Sequence, residues 1–89
     1  MKICYDLAKD AANIGKHGVS LAMAAELEWD TLWAMPDTRR SYGETRFIGY
    51  AVFARRLYCV VFTDRDWQRR VISLRKANAR EVRRYAENA

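Results

Sequence analysis

The first third of the chain combines a short apolar run with a helical spacing of apolar and polar positions. The run over Lys2–Tyr5 predicts a strand. Asp6 follows it as an N-cap residue, and the pattern predicts a helix that continues to Lys16. We expect the buried face of this helix to carry three apolar side chains, Leu7, Ala11 and Ile14. The opposite stripe is polar and consists of Lys9, Asn13 and Lys16. The spacing of these residues points both lysines the same way.

A second helix is predicted directly after the first. Gly18 is suited to the left-handed conformation that ends a helix, and Ser20 is suited to the N-cap of the next one. The second helix is expected from Leu21 to about Glu28. Three small side chains would let it pack closely on the first helix or on a sheet, namely Ala22, Ala24 and Ala25.

The middle of the chain is dominated by β-branched and aromatic residues with turn residues between them. This pattern predicts four strands, Thr31–Met35, Thr45–Phe53, Leu57–Thr63 and Gln68–Lys76. Residues 36–44 form the one long loop, and residues 54–56 have the length of a hairpin turn. Asn78 and Glu81 have the spacing of a capping box, which predicts a terminal helix through Tyr85.

The predicted element order is β-α-α-β-β-β-β-α, which indicates an α+β fold. We expect an antiparallel sheet with two N-terminal helices and one C-terminal helix, and we expect the helices on one face of the sheet. A chain of 89 residues has room for one core, so residues 1–89 are expected to form a single domain. Hydrophobic residues make up 51% of the chain and charged residues 30%, which is typical of a globular rather than a disordered protein.

The charge is distributed unevenly along the chain. The formal net charge is +5, but residues 1–45 contain five bases and seven acids, whereas residues 46–89 contain eleven bases and four acids. Ten of these eleven bases are arginines, whose planar guanidinium matches a phosphate with two hydrogen bonds. A polyanion is therefore the natural partner. The alternative is an arginine-rich solvated surface, or a patch that docks an acidic protein.

Cysteine and histidine usage argues against a disulfide scaffold and against a zinc site. Cys4 and Cys59 both lie in apolar runs, where thiols are usually buried, and a single His17 completes no ligand cluster. We expect no metal and no cofactor. The first residues lack the apolar segment of a signal peptide, and no run approaches the roughly 18 residues of a membrane span. A cytoplasmic protein without membrane contact is expected.

Several blocks of the sequence match a known family. The most specific are Asn-x-x-Lys-His-Gly-Val at residues 13–19 and Ile-Ser-x-Arg-Lys-Ala at residues 72–77. Further matching segments are Tyr5–Lys9, Gly43–Gly49 and Val60–Thr63, together with Glu81 and Tyr85. In these blocks the chain resembles the BrnT toxins of bacterial type II toxin-antitoxin systems, which look like relatives of the RelE ribonucleases. The loop over residues 37–43 departs from the family pattern.

The resemblance implies a RelE-like fold and a ribonuclease that inhibits translation and growth by cutting RNA without a metal ion. It also implies a BrnA-like antitoxin that neutralises the toxin in a hetero-oligomer. DNA would be contacted only indirectly, through that antitoxin.

RNA cleavage without a metal requires a base for the 2′-hydroxyl proton, cations for the charge at phosphorus and an acid for the leaving oxygen. Glu44 and Arg46 are two residues apart at the start of a predicted strand, so their side chains emerge on one face. They could be base and phosphate clamp, or only a surface ion pair. Arg75 could line a cleft or lie at the sheet rim. Lys76 and Arg80 favour the cleft because they concentrate positive potential beside it.

Proton transfer has two candidates, each with an ordinary structural alternative. Imidazole ordinarily changes charge near neutral pH, so His17 could act as base or acid. The alternative is structural, because His17 also stands where histidines bind the free carbonyls of a helix end. Tyr85 could donate a proton or simply pack its ring. Lys16 is expected to contact RNA, and Arg55 in the hairpin turn is a further candidate contact that could equally be solvated.

The leading hypothesis is therefore an endoribonuclease with Glu44, Arg46 and Arg75 at its centre. A second hypothesis is a non-catalytic binding module that docks a partner protein or a nucleic acid. In a third, the chain acts mainly in an antitoxin complex that represses its own operon.

Overall fold

The computed structural model describes residues 1–88 and contains five strands, two α-helices and one short 3-10 helix among them. In chain order these are β1 (Lys2–Cys4), α1 (Leu7–His17), the 3-10 helix (Leu21–Glu26), β2 (Glu28–Pro36), β3 (Phe47–Phe53), β4 (Arg56–Arg65), β5 (Gln68–Lys76) and α2 (Ala79–Asn88). Within these residues, no helix has the length and apolarity that crossing a bilayer requires.

The ends of α1 are set by the residues that the sequence indicates. The Lys9 backbone N–H donates to the Asp6 carboxylate at 3.0 Å, and Gly18 ends the helix with φ +72°. The Gly18 N–H donates to the carbonyl of Ile14 at 2.8 Å, so one of the free carbonyls of the last turn is satisfied. Both predicted caps are confirmed.

The buried face of α1 differs from the sequence prediction. The three apolar side chains expected to be buried are all exposed: Leu7, Ala11 and Ile14. Asn13 is the buried residue of α1 instead. Its side-chain amide donates to the carbonyl of Leu74 at 2.8 Å, and its side-chain oxygen accepts from the Leu74 N–H at 3.2 Å. The strand β1 pairs only with residues 68–70 of β5, which leaves the edge of β5 at Leu74 beyond the reach of β1. Asn13 supplies there the hydrogen bonds that a neighbouring strand would otherwise give.

The prediction of an antiparallel sheet is wrong, because the sheet is mixed. The strand order is β1-β5-β4-β3-β2, in which β1 runs parallel to β5 and the other neighbours are antiparallel. Three consecutive connections place β2 to β5 side by side, and β1 pairs with the edge of β5 that they leave open. The direction of that pairing depends on how α1 returns the chain, which no local pattern encodes.

The prediction of two N-terminal α-helices, and hence of the order with two successive helices, is also wrong. The second helical segment is a six-residue 3-10 helix, capped by Ser20 as expected. It stops early because the chain becomes extended at Leu27 and Glu28 pairs with Val52 of β3. The strand β2 therefore begins before the predicted Thr31.

The two faces of the sheet have different surroundings. One face carries the main core, in which Leu21 and Ala24 of the 3-10 helix pack on strand residues: Ala51, Val60, Phe62, Val71 and Leu74. On the other face, which we call the open face, α2 covers only one end, where Ala77 and Tyr85 pack against Tyr50 and Leu57. The rest of the open face carries the clefts described below.

Candidate active site

A cleft of about 580 Å³ lies on the open face between α1, the loop before β3 and the start of α2. We call it the basic cleft, because four bases and one acid line it together with His17: Lys9, Lys16, Arg39, Arg75 and Glu81. Its floor is formed by sheet residues, mainly Ile48, Tyr50, Cys59, Val61, Ile72 and Ser73. This excess of cations favours a phosphate-bearing ligand.

At the floor, Glu81 joins three elements through its carboxylate. The Arg75 guanidinium donates to both Glu81 oxygens, at 2.8 and 2.9 Å, which is the bidentate geometry. The Tyr50 hydroxyl donates to Oε2 at 3.0 Å, and the Asn78 backbone N–H donates to Oε1 at 2.9 Å. The Glu81 N–H donates in turn to Asn78 Oδ1, which completes the predicted capping box of α2.

These contacts hold the charges of the floor in place. The Arg75 hydrogen bonds lower the pKa of Glu81 to about 2, and the same contact raises the pKa of Arg75. Burial raises the pKa of Tyr50 and also that of the Cys59 thiol. Glu81 is therefore an anion without free acceptor capacity, and Cys59 is a thiol rather than a nucleophilic thiolate. Arg75 is 36% exposed at its side chain and still presents part of its guanidinium to the cleft.

The wall of the basic cleft is the polar stripe of α1. Lys9 and Lys16 are both exposed and both line the cleft, as their seven-residue separation on one helix stripe predicts. His17 is partly buried at the end of the same helix and also lines the cleft. One helix therefore supplies two lysines and the imidazole to the cleft.

The opposite rim carries Arg39, which the sequence analysis did not select. Asp37 is buried, and its carboxylate accepts two bonds from the Arg39 guanidinium, both at 2.9 Å, and one from the Arg39 backbone N–H at 3.1 Å. The Tyr42 hydroxyl donates to the same carboxylate at 3.0 Å. The signal that could have identified this arrangement is Pro36-Asp37, because aspartate after a strand often binds the backbone N–H two residues on.

A second, larger cleft of about 870 Å³ lies at the far end of the sheet. We call it the second cleft, and its lining mixes acids, bases and neutral polar groups: Glu44, Thr63, Asp64, Arg65, Asp66, Gln68 and Arg70, with Cys4, Thr45 and Phe47. Arg46 Nε lies 3.9 Å from Glu44 Oε2. The Arg46 guanidinium stacks 4.1 Å from the centre of the Tyr42 ring. Within residues 1–88, no three His, Cys, Asp or Glu side chains gather as a metal site in either cleft.

Comparison with known proteins decides the family. The model of the family described as "Ribonuclease toxin, BrnT, of type II toxin-antitoxin system" matches residues 5–81. The chain belongs to the BrnT toxin family. It is also similar to the 1.1 Å crystal structure of the Brucella abortus ribonuclease toxin BrnT, with a TM-score of 0.68 and 26% identity over 88% of this chain and 97% of that one. No curated protein matches the chain.

Membership in the BrnT family makes this chain a ribonuclease toxin of a type II toxin-antitoxin system, with an RNA substrate and an antitoxin partner. The family match includes both walls of the basic cleft, since it runs from α1 to Glu81. It also includes the second cleft, with the exception of Cys4.

Of the predicted site residues, this BrnT-family chain brings three together in the basic cleft: Lys16, His17 and Arg75. Glu44 lines the second cleft instead, with Arg46 beside it, so the structure does not place either residue next to Arg75. The carboxylate that binds Arg75 is Glu81, which the sequence assigned to helix capping and to the family resemblance but not to the site.

The remaining predicted residues line neither cleft. Tyr85 donates its hydroxyl hydrogen bond to the carbonyl of Thr31 and ties α2 to β2. Lys76 and Arg80 are exposed outside both clefts, and Arg55 is exposed in the β3–β4 turn with φ +63°. These three bases belong to the wider positive surface.

Proposed function

We propose that this BrnT-family toxin is an endoribonuclease that cuts RNA in the basic cleft without a metal ion. The observation that carries the proposal is the placement of four cations around one sheet floor, where Arg75 is fixed by Glu81. Cations at fixed positions stabilise the charge that develops on a phosphodiester during cleavage. Loss of messenger RNA would then inhibit translation.

The reaction that suits these side chains is attack by the ribose 2′-oxygen on the adjacent phosphorus. The bond from phosphorus to the 5′-oxygen breaks, so the products are a 2′,3′-cyclic phosphate and a 5′-hydroxyl. A base takes the 2′-hydroxyl proton, and an acid gives a proton to the leaving 5′-oxygen. No metal ion enters this scheme, because Arg75 and the lysines would carry the charge stabilisation.

His17 is the side chain of the basic cleft that we assign to proton transfer. Glu81 is unsuited because its oxygens already accept four hydrogen bonds and its pKa lies near 2. Tyr85 is unsuited because it lines neither cleft and its hydroxyl is bound to a backbone carbonyl. Lys9, Lys16 and Arg39 would bind the phosphates on either side.

The direct test incubates the purified chain with RNA in the presence of a metal chelator and analyses the product ends. We expect cleavage to persist and to leave 2′,3′-cyclic phosphates. His17→Asn should lower kcat by about 100-fold, whereas Arg56→Gln, at the exposed end of β4, should cut normally. RNA that is bound but not cut would favour the non-catalytic binding module.

We further propose that a BrnA-like antitoxin neutralises the toxin in a hetero-oligomer that contacts DNA only through the antitoxin. The support is the family, whose members act in type II toxin-antitoxin systems. Co-expression with the antitoxin gene should restore growth and RNA integrity. Growth arrest that the antitoxin does not relieve would contradict this part of the proposal.

A further inference from the structure

We propose that the second cleft is a subsite for an unpaired nucleotide of the same RNA strand, a few nucleotides from the phosphodiester cut in the basic cleft, and that Arg70 binds the phosphate of that nucleotide. This inference rests on the proposed function, because it extends the RNA path from the basic cleft along β4 and β5. Its ligand class is a single-stranded RNA several nucleotides long.

The strand register places the two clefts on the same face of the sheet. Arg75 pairs with Cys59, and Arg70 pairs with Thr63 four residues further along β4. Because side chains alternate along a strand, Cys59 and Thr63 point to the same face. A bulge in β5 at Ile72 keeps Arg70 on that face despite its odd separation from Arg75.

The path between the clefts runs over sheet residues that keep part of their surface exposed. Ile48, Val61 and Ser73 form the floor between Arg75 and Arg70, and all three are only partly buried. The helix α2 covers the opposite end of the open face. At about 3.3 Å per residue, the Cα atoms of Arg70 and Arg75 lie roughly 15 Å apart. This is the length of about four stacked nucleotides at 3.4 Å each.

The guanidinium of Arg70 differs from that of its neighbour Arg69, which is paired with a carboxylate. The Arg69 guanidinium donates to the Asp64 carboxylate at 2.8 and 2.9 Å and stacks 4.4 Å from the centre of the Phe62 ring, on the core face. Arg70 is exposed on the other face and forms no ion pair with any residue of the described chain. Such an unpaired guanidinium at the lip of a cleft is suited to a phosphate.

The other groups of the second cleft are suited to a base rather than to further phosphates. Glu44 and Gln68 offer acceptors, and Glu44 is 43% exposed at its side chain. A carboxylate accepts from the exocyclic amino group of a base, and unpaired RNA exposes such edges. Because the acids of this cleft would repel a run of phosphates, we assign it one base with one phosphate. The geometry therefore gives Glu44 a role in base selection.

The experiment compares Arg70→Gln with Arg56→Gln, which removes the same charge from the exposed end of β4 on the core face. For each full-length variant, kcat/KM is measured on a mixed-sequence dinucleotide and on a mixed-sequence RNA of about 12 nucleotides. Binding of the longer RNA with 2′-O-methyl groups, which cannot be cut, is measured by fluorescence anisotropy at several salt concentrations.

We expect Arg70→Gln to reduce the ratio of long-RNA to dinucleotide kcat/KM by about fivefold or more, and to lower the slope of log affinity against log salt by about 0.7. Arg56→Gln should keep the wild-type ratio and slope. Arg75→Gln should lower kcat/KM on both substrates, which separates the basic cleft from the subsite.

Three results would overturn the proposal. If Arg70→Gln matches Arg56→Gln on the longer RNA while wild type cuts both substrates, the subsite is refuted and the proposed function stands. If Arg70→Gln instead weakens only the complex with the antitoxin, the second cleft is an antitoxin contact. A wild-type chain that neither cuts nor binds RNA would refute the proposed function and the subsite together.

Discussion

The guanidinium of Arg75 and the carboxylate of Glu81 form two parallel hydrogen bonds, although the two residues belong to different elements. Arg75 lies near the end of β5, and Glu81 lies in the first turn of α2, where it also caps the helix. The same carboxylate accepts from Tyr50 of β3. The charge at the floor of the basic cleft is therefore fixed by a junction of two strands and a helix.

Arg75→Ala is expected to reduce RNA cleavage strongly while leaving the fold intact. Removal of a fixed donor that stabilises developing charge typically lowers kcat by about 100-fold to 1,000-fold. The measurement is kcat and KM on one RNA substrate, with circular dichroism to check folding. Arg56→Ala is the matched control and should retain wild-type activity. Wild-type activity in Arg75→Ala would show that the basic cleft is not the active site.

Acid should destabilise the chain through Glu81. Its folded pKa of about 2 lies below the ordinary value of 4.5, so its contribution is present above pH 4.5 and is lost as the pH falls towards 2. A shift of this size corresponds to at most about 3 kcal/mol of unfolding free energy. Urea titrations at about pH 5 and about pH 2 measure the unfolding free energy that acid removes. This loss should be smaller for Glu81→Gln than for wild type.

Wild type and Glu81→Gln will both lose some stability in acid, because Arg39 holds the pKa of Asp37 below its usual range. The prediction concerns the difference between the two proteins. Equal losses of unfolding free energy would show that the Arg75–Glu81 pair contributes nothing measurable to folding.

Asp37 is expected to act on RNA through Arg39, because its carboxylate holds that guanidinium at the rim of the basic cleft. Asp37→Asn should raise KM about threefold to fivefold with little change in kcat, since a mobile arginine binds phosphate less well. The test is a double-mutant cycle with Arg39→Gln. Once Arg39 is replaced, Asp37→Asn should have no further effect on KM. Additive effects in the double variant would contradict this positioning role.

Asn13 is expected to be the most sensitive position of α1 for stability. Asn13→Ala leaves the Leu74 N–H and carbonyl without their partner at a buried edge, which should lower the unfolding free energy by about 2 to 4 kcal/mol. Leu7→Ala is the control, because Leu7 is 77% exposed, and should change it by less than about 0.5 kcal/mol. Urea denaturation measures both. If Leu7→Ala lowered the unfolding free energy more than Asn13→Ala does, the buried face of α1 would be the apolar one that the sequence predicts.

The sequence by itself determined the features whose causes lie within a few residues. The caps at Asp6, Gly18 and Ser20 and the capping box of α2 were predicted because a cap binds backbone groups only two to four positions away. The strands β3 to β5 were predicted because alternation and turn residues are local as well. The family likeness also depends on sequence alone, and its blocks contain Lys16, His17 and Arg75, which became candidate site residues through the chemistry of their side chains.

Only the tertiary structure decided which distant residues meet. Asn13 looked like a solvated member of a polar stripe, yet it binds Leu74, which lies 61 positions away. Glu44 looked like the partner of Arg75, yet it lies in another cleft and Glu81 takes that place. Which edge of β5 stays open, and in which direction β1 pairs with it, follow from packing of the whole chain, because contacts between remote segments form only when the elements are assembled.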